Sequence, residues 1–231
     1  ELAQLGYFDP EKLNVIPTPN PQNSTVDIEY VVEEKSSDQI ELSGGWGGYG
    51  GIVGSLGVIF TNFSARNLFS KGAWQPLPAG DGQSLSVRAQ SNGTWFQSYN
   101  FSFTEPWLGG KKPNSFSFSL YHSIRTNGLK LDNPSRAFFK TSGASIGLGK
   151  RLNWPDDFFT LYQQLGYQNY ELSNWSETFA FNDGSSNTIS LTETFSRNSI
   201  DQPIYPRQGA QISLTMQLTP PFSLFDGIDD Y

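Results

Sequence analysis

From Asp38 onward, apolar and polar residues alternate with a period of two in runs separated by turn residues. That period belongs to strands whose two faces meet different surroundings. Ile40, Leu42 and Trp46 alternate with Glu41, Ser43 and Gly45, and Leu56, Val58 and Phe60 with Gly57, Ile59 and Thr61. Leu85, Val87 and Ala89 alternate with Ser86, Arg88 and Gln90. The same texture recurs at 99–104, 116–121, 145–149, 159–166, 189–196 and 212–218. The pattern predicts an all-β, antiparallel region of about nine meandering strands, several with room for the roughly 9–11 residues of a tilted membrane strand.

Residues 1–37 read differently. Residues 1–9 suggest the last turns of a helix, with Gly6 near its C-cap. Pro17, Pro19 and Pro21 mark an extended connection. Val26, Ile28 and Tyr30 then alternate with Asp27 and Glu29 as a half-exposed strand. Such a helix–strand piece is too small to bury a core of its own. The expected division is 1–37 and 38–231, and both ends read as cut from something longer.

The polar members of the nine runs are mostly Ser, Thr, Gly, Gln and Asn, with few Lys or Glu. The wet face of a soluble sheet usually carries charge, whereas a barrel interior tolerates small polar residues behind an apolar outer band. Phe101, Phe103 and the run 159–167 fit such a band. Trp95, Phe96, Trp107, Trp154, Tyr167, Tyr170 and Tyr205 lie near predicted strand ends, where interfacial aromatic belts sit. Linkers 62–84 and 125–143 are long while 48–51, 93–96 and 153–157 are short, which predicts loops on one side and tight turns on the other. A soluble β-sandwich rich in aromatics is the alternative.

Composition narrows the chemistry. The 231 residues include no Cys and one His, His122, so thiolate and His-rich metal sites and a Ser-His-Asp triad have no ready ligands or partners. A net charge of −7 argues against a nucleic-acid partner. No apolar run is long enough for a transmembrane helix, which leaves a transmembrane barrel open.

The order of segments resembles the BamA family of outer-membrane assembly factors, in which POTRA domains precede a 16-stranded barrel. Residues 26–35 (VDIEYVVEEK) are similar to the closing strand of the last POTRA domain, and 37–47 (SDQIELSGGWG) to the first barrel strand. Residues 62–72 (NFSARNLFSKG), 101–108 (FSFTEPWL) and 204–210 (IYPRQGA) resemble the family's second connection, fourth-strand end and a turn before a mid-barrel strand. The family's Arg-Gly-Phe-type motif has no counterpart, and only the end of one POTRA domain and about half a barrel are covered. The resemblance implies a bacterial outer-membrane location with the N-terminal remnant in the periplasm, and contacts with membrane lipids, client outer-membrane proteins and accessory assembly subunits. It implies no cofactor.

The segment of most interest is 39–48, with glycines at 44, 45, 47 and 48. Glycine weakens strand pairing, and an exposed edge can template another strand. Gln39, Ile40, Glu41, Leu42, Ser43, Gly44, Gly45 and Trp46 are the candidate site, a seam that the resemblance makes a client-strand template. The glycines otherwise only make room for interior side chains, and Trp46 is then an ordinary girdle residue. A secretion translocator of the same superfamily is the alternative function.

Other clusters carry less. Glu105-Pro106-Trp107 reads as a strand terminator rather than a catalytic acid. Asp156 with Asp157, and Asp226 with Asp229 and Asp230, fit no EF-hand spacing and read as solvated loop charge. The Gly-rich run 44–48 lacks the Lys-Ser/Thr ending of a phosphate loop. Asn62, Asn92, Asn100 and Asn174 head sequons without meaning for such a protein. Arg66, Arg88, Arg151 and Arg207 read as interior cations, pairing with Glu41 and Glu193 rather than serving transport. No acid–base or nucleophile constellation points to an enzyme.

Overall fold

The computed structural model describes residues 12–20, 23, 25–33, 38–47, 51–74, 77–110, 113–175, 182–201 and 205–221. The helix expected at 1–9 lies outside the described residues. Within them the chain forms strands only. A two-stranded hairpin, β1 (Asn14–Asn20) and β2 (Thr25–Val31), precedes β3 (Gln39–Trp46), β4 (Ile52–Phe63), β5 (Gln83–Asn92) and β6 (Phe96–Glu105). Next come β7 (Ser115–Thr126), β8 (Phe138–Arg151), β9 (Phe159–Ser173), β10 (Gly184–Asn198) and β11 (Gln211–Leu218). Strands β3 to β11 make one nine-stranded antiparallel sheet in chain order, each bonded to its sequence neighbours.

All nine alternating runs became strands. The first segment differs from expectation, because Asn14–Asn20 is itself a strand rather than a connection. Its prolines are compatible with pairing because a two-stranded ribbon has only edges, and Pro17 and Pro19 alternate along β1 opposite Ile28 and Val26. Val15, Val26, Ile28 and Tyr30 remain 43–56% exposed, so the hairpin has no core of its own.

Register sorts every side chain of the large sheet onto one of two faces, since paired residues share a face and neighbours along a strand do not. One face carries unbroken apolar rows. Ile40, Val58, Val87, Phe101, Leu120, Ala144 and Tyr167 are successive cross-strand partners. So are Leu85, Phe103, Phe118, Ile146, Leu165, Leu191 and Leu218. The opposite face is polar, as in Ser86–Ser102–Ser119–Ser145. Hydroxyls hydrogen-bond between strands there: Ser43 to Ser55, Ser119 to Ser145 and Thr160 to Ser196, each at 2.7 Å.

The apolar rows do not pack against a second sheet. Leu42 is 81% exposed and Ile146 48%, and among described residues only Phe63, Leu172 and Trp175 are buried large hydrophobics. This arrangement excludes the sandwich, whose inner rows would be covered.

Tight packing occurs on the polar face, where aromatic rings lie over glycines. A Cβ on Gly143 would strike the Tyr121 ring, and one on Gly147 would strike the Tyr162 hydroxyl and approach Ser117 Oγ to 2.5 Å. Tyr162 uses that space to hydrogen-bond Ser117 at 2.7 Å.

The connections do not segregate as predicted. Segments 47–51, 93–95, 127–137 and 174–183 cap one end of the sheet, and 64–82, 106–114, 152–158 and 199–210 the other. Each end therefore has shorter and longer members. The longest, 64–82, folds back on the end of β4: Ser64 and Pro78 are fully buried, Ser64 N–H donates to Pro78 O at 2.9 Å, and Ser64 Oγ donates to Asp81 at 2.6 Å. Successive connections of a meander alternate ends, so the two long linkers, second and fifth in order, fall at opposite ends whatever their length.

Candidate functional site: the edge strand and its surroundings

The candidate residues Gln39, Ile40, Glu41, Leu42, Ser43, Gly44, Gly45 and Trp46 together make up β3, the terminal strand of the sheet. Among the described residues β3 pairs with β4 alone. The backbone N–H and C=O groups on its far side face away from the sheet, the arrangement that accepts another strand. Every β3 residue is exposed, with Ile40 at 76% and Trp46 at 75%. Trp46 lies on the apolar face opposite Ile52.

The two glycines inside β3 are not forced by crowding. A Cβ on Gly44 or Gly45 would meet nothing within 4 Å. Gly44 stands opposite Gly54, so one rung of the β3–β4 ladder has no side chain on either strand. Cross-strand side-chain pairs are the main source of sheet stability beyond the backbone, and that rung contributes none.

One feature holds β3 in place from the polar face. Glu41 and Arg88 both pair with Gly57, Glu41 from β3 and Arg88 from β5. Arg88 Nη2 donates to Glu41 Oε2 across that glycine at 2.5 Å. Both side chains are about half exposed (48% and 46%), so the pair contributes on the order of 0.2–1 kcal/mol. Ser43 and Ser55 add a hydroxyl pair two rungs further on.

The remaining candidates have structural partners. Glu105 accepts from Gln83 Nε2 at 2.6 Å and from Trp107 N–H at 2.8 Å, closing β6. Arg151 Nε donates to the Asp157 carbonyl at 2.5 Å. The Arg207 N–H donates to the Asp201 carboxylate. Asp156 differs from the solvated loop charge expected of it: it accepts from Arg197 Nε and from the Phe158 N–H. Desolvation pushes its carboxyl up, but the Arg197 and Phe158 hydrogen bonds with the Arg197 charge outweigh it and hold the pKa below the ordinary value. Asp226, Asp229 and Asp230 lie outside the described residues.

Aromatics gather at both ends of the strands: Trp46 and Trp95 at one, Trp74, Trp107, Trp154 and Tyr205 at the other. Tyr170 does not join them, since it stacks on Phe139 on the polar face at 5.9 Å. Two polar contacts escaped the sequence reading because they depend on register. Glu193 takes Gln163 rather than an arginine, at 2.9 Å on the apolar face. Lys140 pairs with Glu171 at 3.1 Å, also on that face.

A single meander with one apolar and one polar face, and aromatics at both rims, is the wall of a transmembrane β-barrel. The Omp85 superfamily domain matches residues 79–226, and the chain belongs to that superfamily. It is similar to the outer membrane protein assembly factor BamA of Neisseria meningitidis serogroup B, 23% identical over 235 aligned positions. That match covers 95% of this chain and 27% of the relative. In three dimensions the chain resembles the crystal structure of BamA from Haemophilus ducreyi lacking POTRA domains 1–3, with a TM-score of 0.52 and 20% identity. The likeness covers 95% of this chain and 41% of that one. The chain thus spans well under half of each relative, and its nine-stranded sheet is an open segment of a barrel wall.

Proposed function

We propose that this chain is the first part of the barrel of an outer-membrane protein assembly factor, and that β3 acts as the edge on which a client strand forms. Residues 1–37 are then the end of the last POTRA domain, on the periplasmic side. The connections 64–82, 106–114, 152–158 and 199–210 share that side, and the opposite set faces outward. Accessory subunits and clients are the partners this role requires.

The observation that carries the reading is the composition of β3: two glycines inside the strand that no described neighbour demands, one of them opposite Gly54. An edge that must accept and later release another strand has to pair weakly with whatever closes it at rest. Gly44 and Gly45 bring no side chain to that pairing, and the rung that Gly44 shares with Gly54 loosens β3 on its β4 side as well. The work needs no bond-breaking chemistry, because backbone pairing and apolar burial in hydrocarbon drive it.

The test uses the absence of cysteine from the chain. Single cysteines at each position from Gln39 to Trp46 are paired with single cysteines along the terminal strand of a client stalled during insertion. Templating by β3 gives disulfides in an antiparallel or parallel ladder with one register. Cross-links scattered without register, or absent while the client still inserts, would remove β3 from the mechanism.

A further inference from the structure

The geometry points to a lipid-binding site on the outer wall of the sheet, spanning β6 to β9, for a lipid with an anionic phosphate headgroup. It requires only that the apolar face meets hydrocarbon, and it stands whether or not β3 is a client seam.

Two depressions lie on the apolar face of these strands, one above the other. The first, of about 590 Å³, sits where the apolar rows end beneath the connection 127–137, and is lined by Lys130, Arg136, Lys140, Ile124, Leu129 and Phe138. The second, of about 490 Å³, lies further along the same strands. Tyr99, Phe101, Leu120, Ala144 and Tyr167 line it, and Ala144 leaves the space that a larger side chain would fill. Lys140 and Ala144 share a face of β8 four residues apart, about 13 Å along the strand. His122 and Ser142, hydrogen-bonded at 2.8 Å, fill the row between them.

The chemistry changes along that line from cationic to apolar. Lys140 is already neutralised by Glu171 and leans over the Phe138 ring at 4.3 Å. Lys130 and Arg136 have no such partner among the described residues, and Asp132 on the same connection does not line the depression. Arg136 is only half-buried at the rim of the depression, and a phosphate oxygen is the acceptor that a planar guanidinium suits. The apolar second depression lies where the acyl chain of a molecule so anchored would run. A free phosphate would use the first depression and leave the second without a role; a lipid uses both.

Native mass spectrometry of the membrane-folded protein, loaded with equal amounts of phosphatidylglycerol and phosphatidylcholine of identical chains, tests this. The wild type should retain phosphatidylglycerol about tenfold over phosphatidylcholine, since both offer Lys130 and Arg136 a phosphodiester but only phosphatidylcholine sets a quaternary ammonium against those cations. Lys130→Gln with Arg136→Gln should abolish that preference. Ala144→Phe, which fills the groove and leaves the cations alone, should lower retention of both lipids without changing their ratio. Heat-modifiable mobility checks that each variant is folded. Equal retention of the two lipids by the wild type overturns the inference, as does a preference that survives the double substitution, or Ala144→Phe without effect on either lipid.

Discussion

The Gln163–Glu193 pair is the sharpest place to test how the apolar face is used. On β9 the apolar stretch runs from Tyr167 to Phe159, nine residues and about 26 Å along the strand, within the roughly 9–11 residues of a tilted membrane strand. Gln163 is at its midpoint. The flanking rows are apolar on both sides: Leu165 with Leu191, and Leu161 with Phe195. Across the sheet the pair is bordered by Leu148 and Met216. Gln163 Nε2 donates to Glu193 Oε1 at 2.9 Å, the one hydrogen bond recorded for that carboxyl among the described residues. Gln163→Leu removes it and leaves the acid without its partner in hydrocarbon, a loss of about 1–3 kcal/mol for a polar group left unsatisfied. Replacing both residues with Leu removes the stranded acid too, joins the flanking rows, and should recover most of that loss. Urea unfolding from phospholipid vesicles, followed by tryptophan fluorescence, gives the four free energies of the cycle. If Gln163→Leu is as stable as the wild type, or the double variant is no more stable than Gln163→Leu, the apolar face does not meet hydrocarbon at this level.

Three further predictions come from the glycines of the sheet and from one connection. Gly147→Ala should destabilise the fold by about 1–3 kcal/mol, since the new methyl displaces the Tyr162 hydroxyl from Ser117. Gly44→Ala and Gly45→Ala, with open space around them, should be neutral or stabilising by up to about 1 kcal/mol in the same assay. The Asp156 carboxyl is held below its ordinary value, so its contribution is present above the unfolded-state pKa and is lost as pH falls through the lower folded-state value. The protection factor of the Phe158 amide, which donates to Asp156, should therefore fall on acidification through that window once the intrinsic exchange rate is divided out, and Asp156→Asn should flatten that dependence.

The nine strands were legible because each carries its own period of two, a local signal that survives without knowledge of neighbours. β1 was not, because Pro17 and Pro19 are poor strand formers and only the hairpin partner makes room for them. The family was legible from segment order, but the contacts that populate the faces were not. Which residue stands opposite Glu193, or what lies between Glu41 and Arg88, depends on register, and register is a property of pairs of strands. Arg88 was expected to find Glu41 and does, whereas the acid of β10 finds an amide. The uncrowded state of Gly44 and Gly45 is likewise a fact about empty volume, which composition does not encode.

Along the nine strands the ladder shifts register once, between Phe60 and Phe63. Inserting or deleting a single residue within β7 to β10 would turn every later side chain of that strand inside out, setting serines against lipid and phenylalanines against the watery interior. Drift in chain length is therefore channelled into the eight connecting segments. Deep-insertion libraries of this protein should tolerate added residues there and reject them between rungs, and any odd-numbered change that does persist within a strand should come with a compensating bulge.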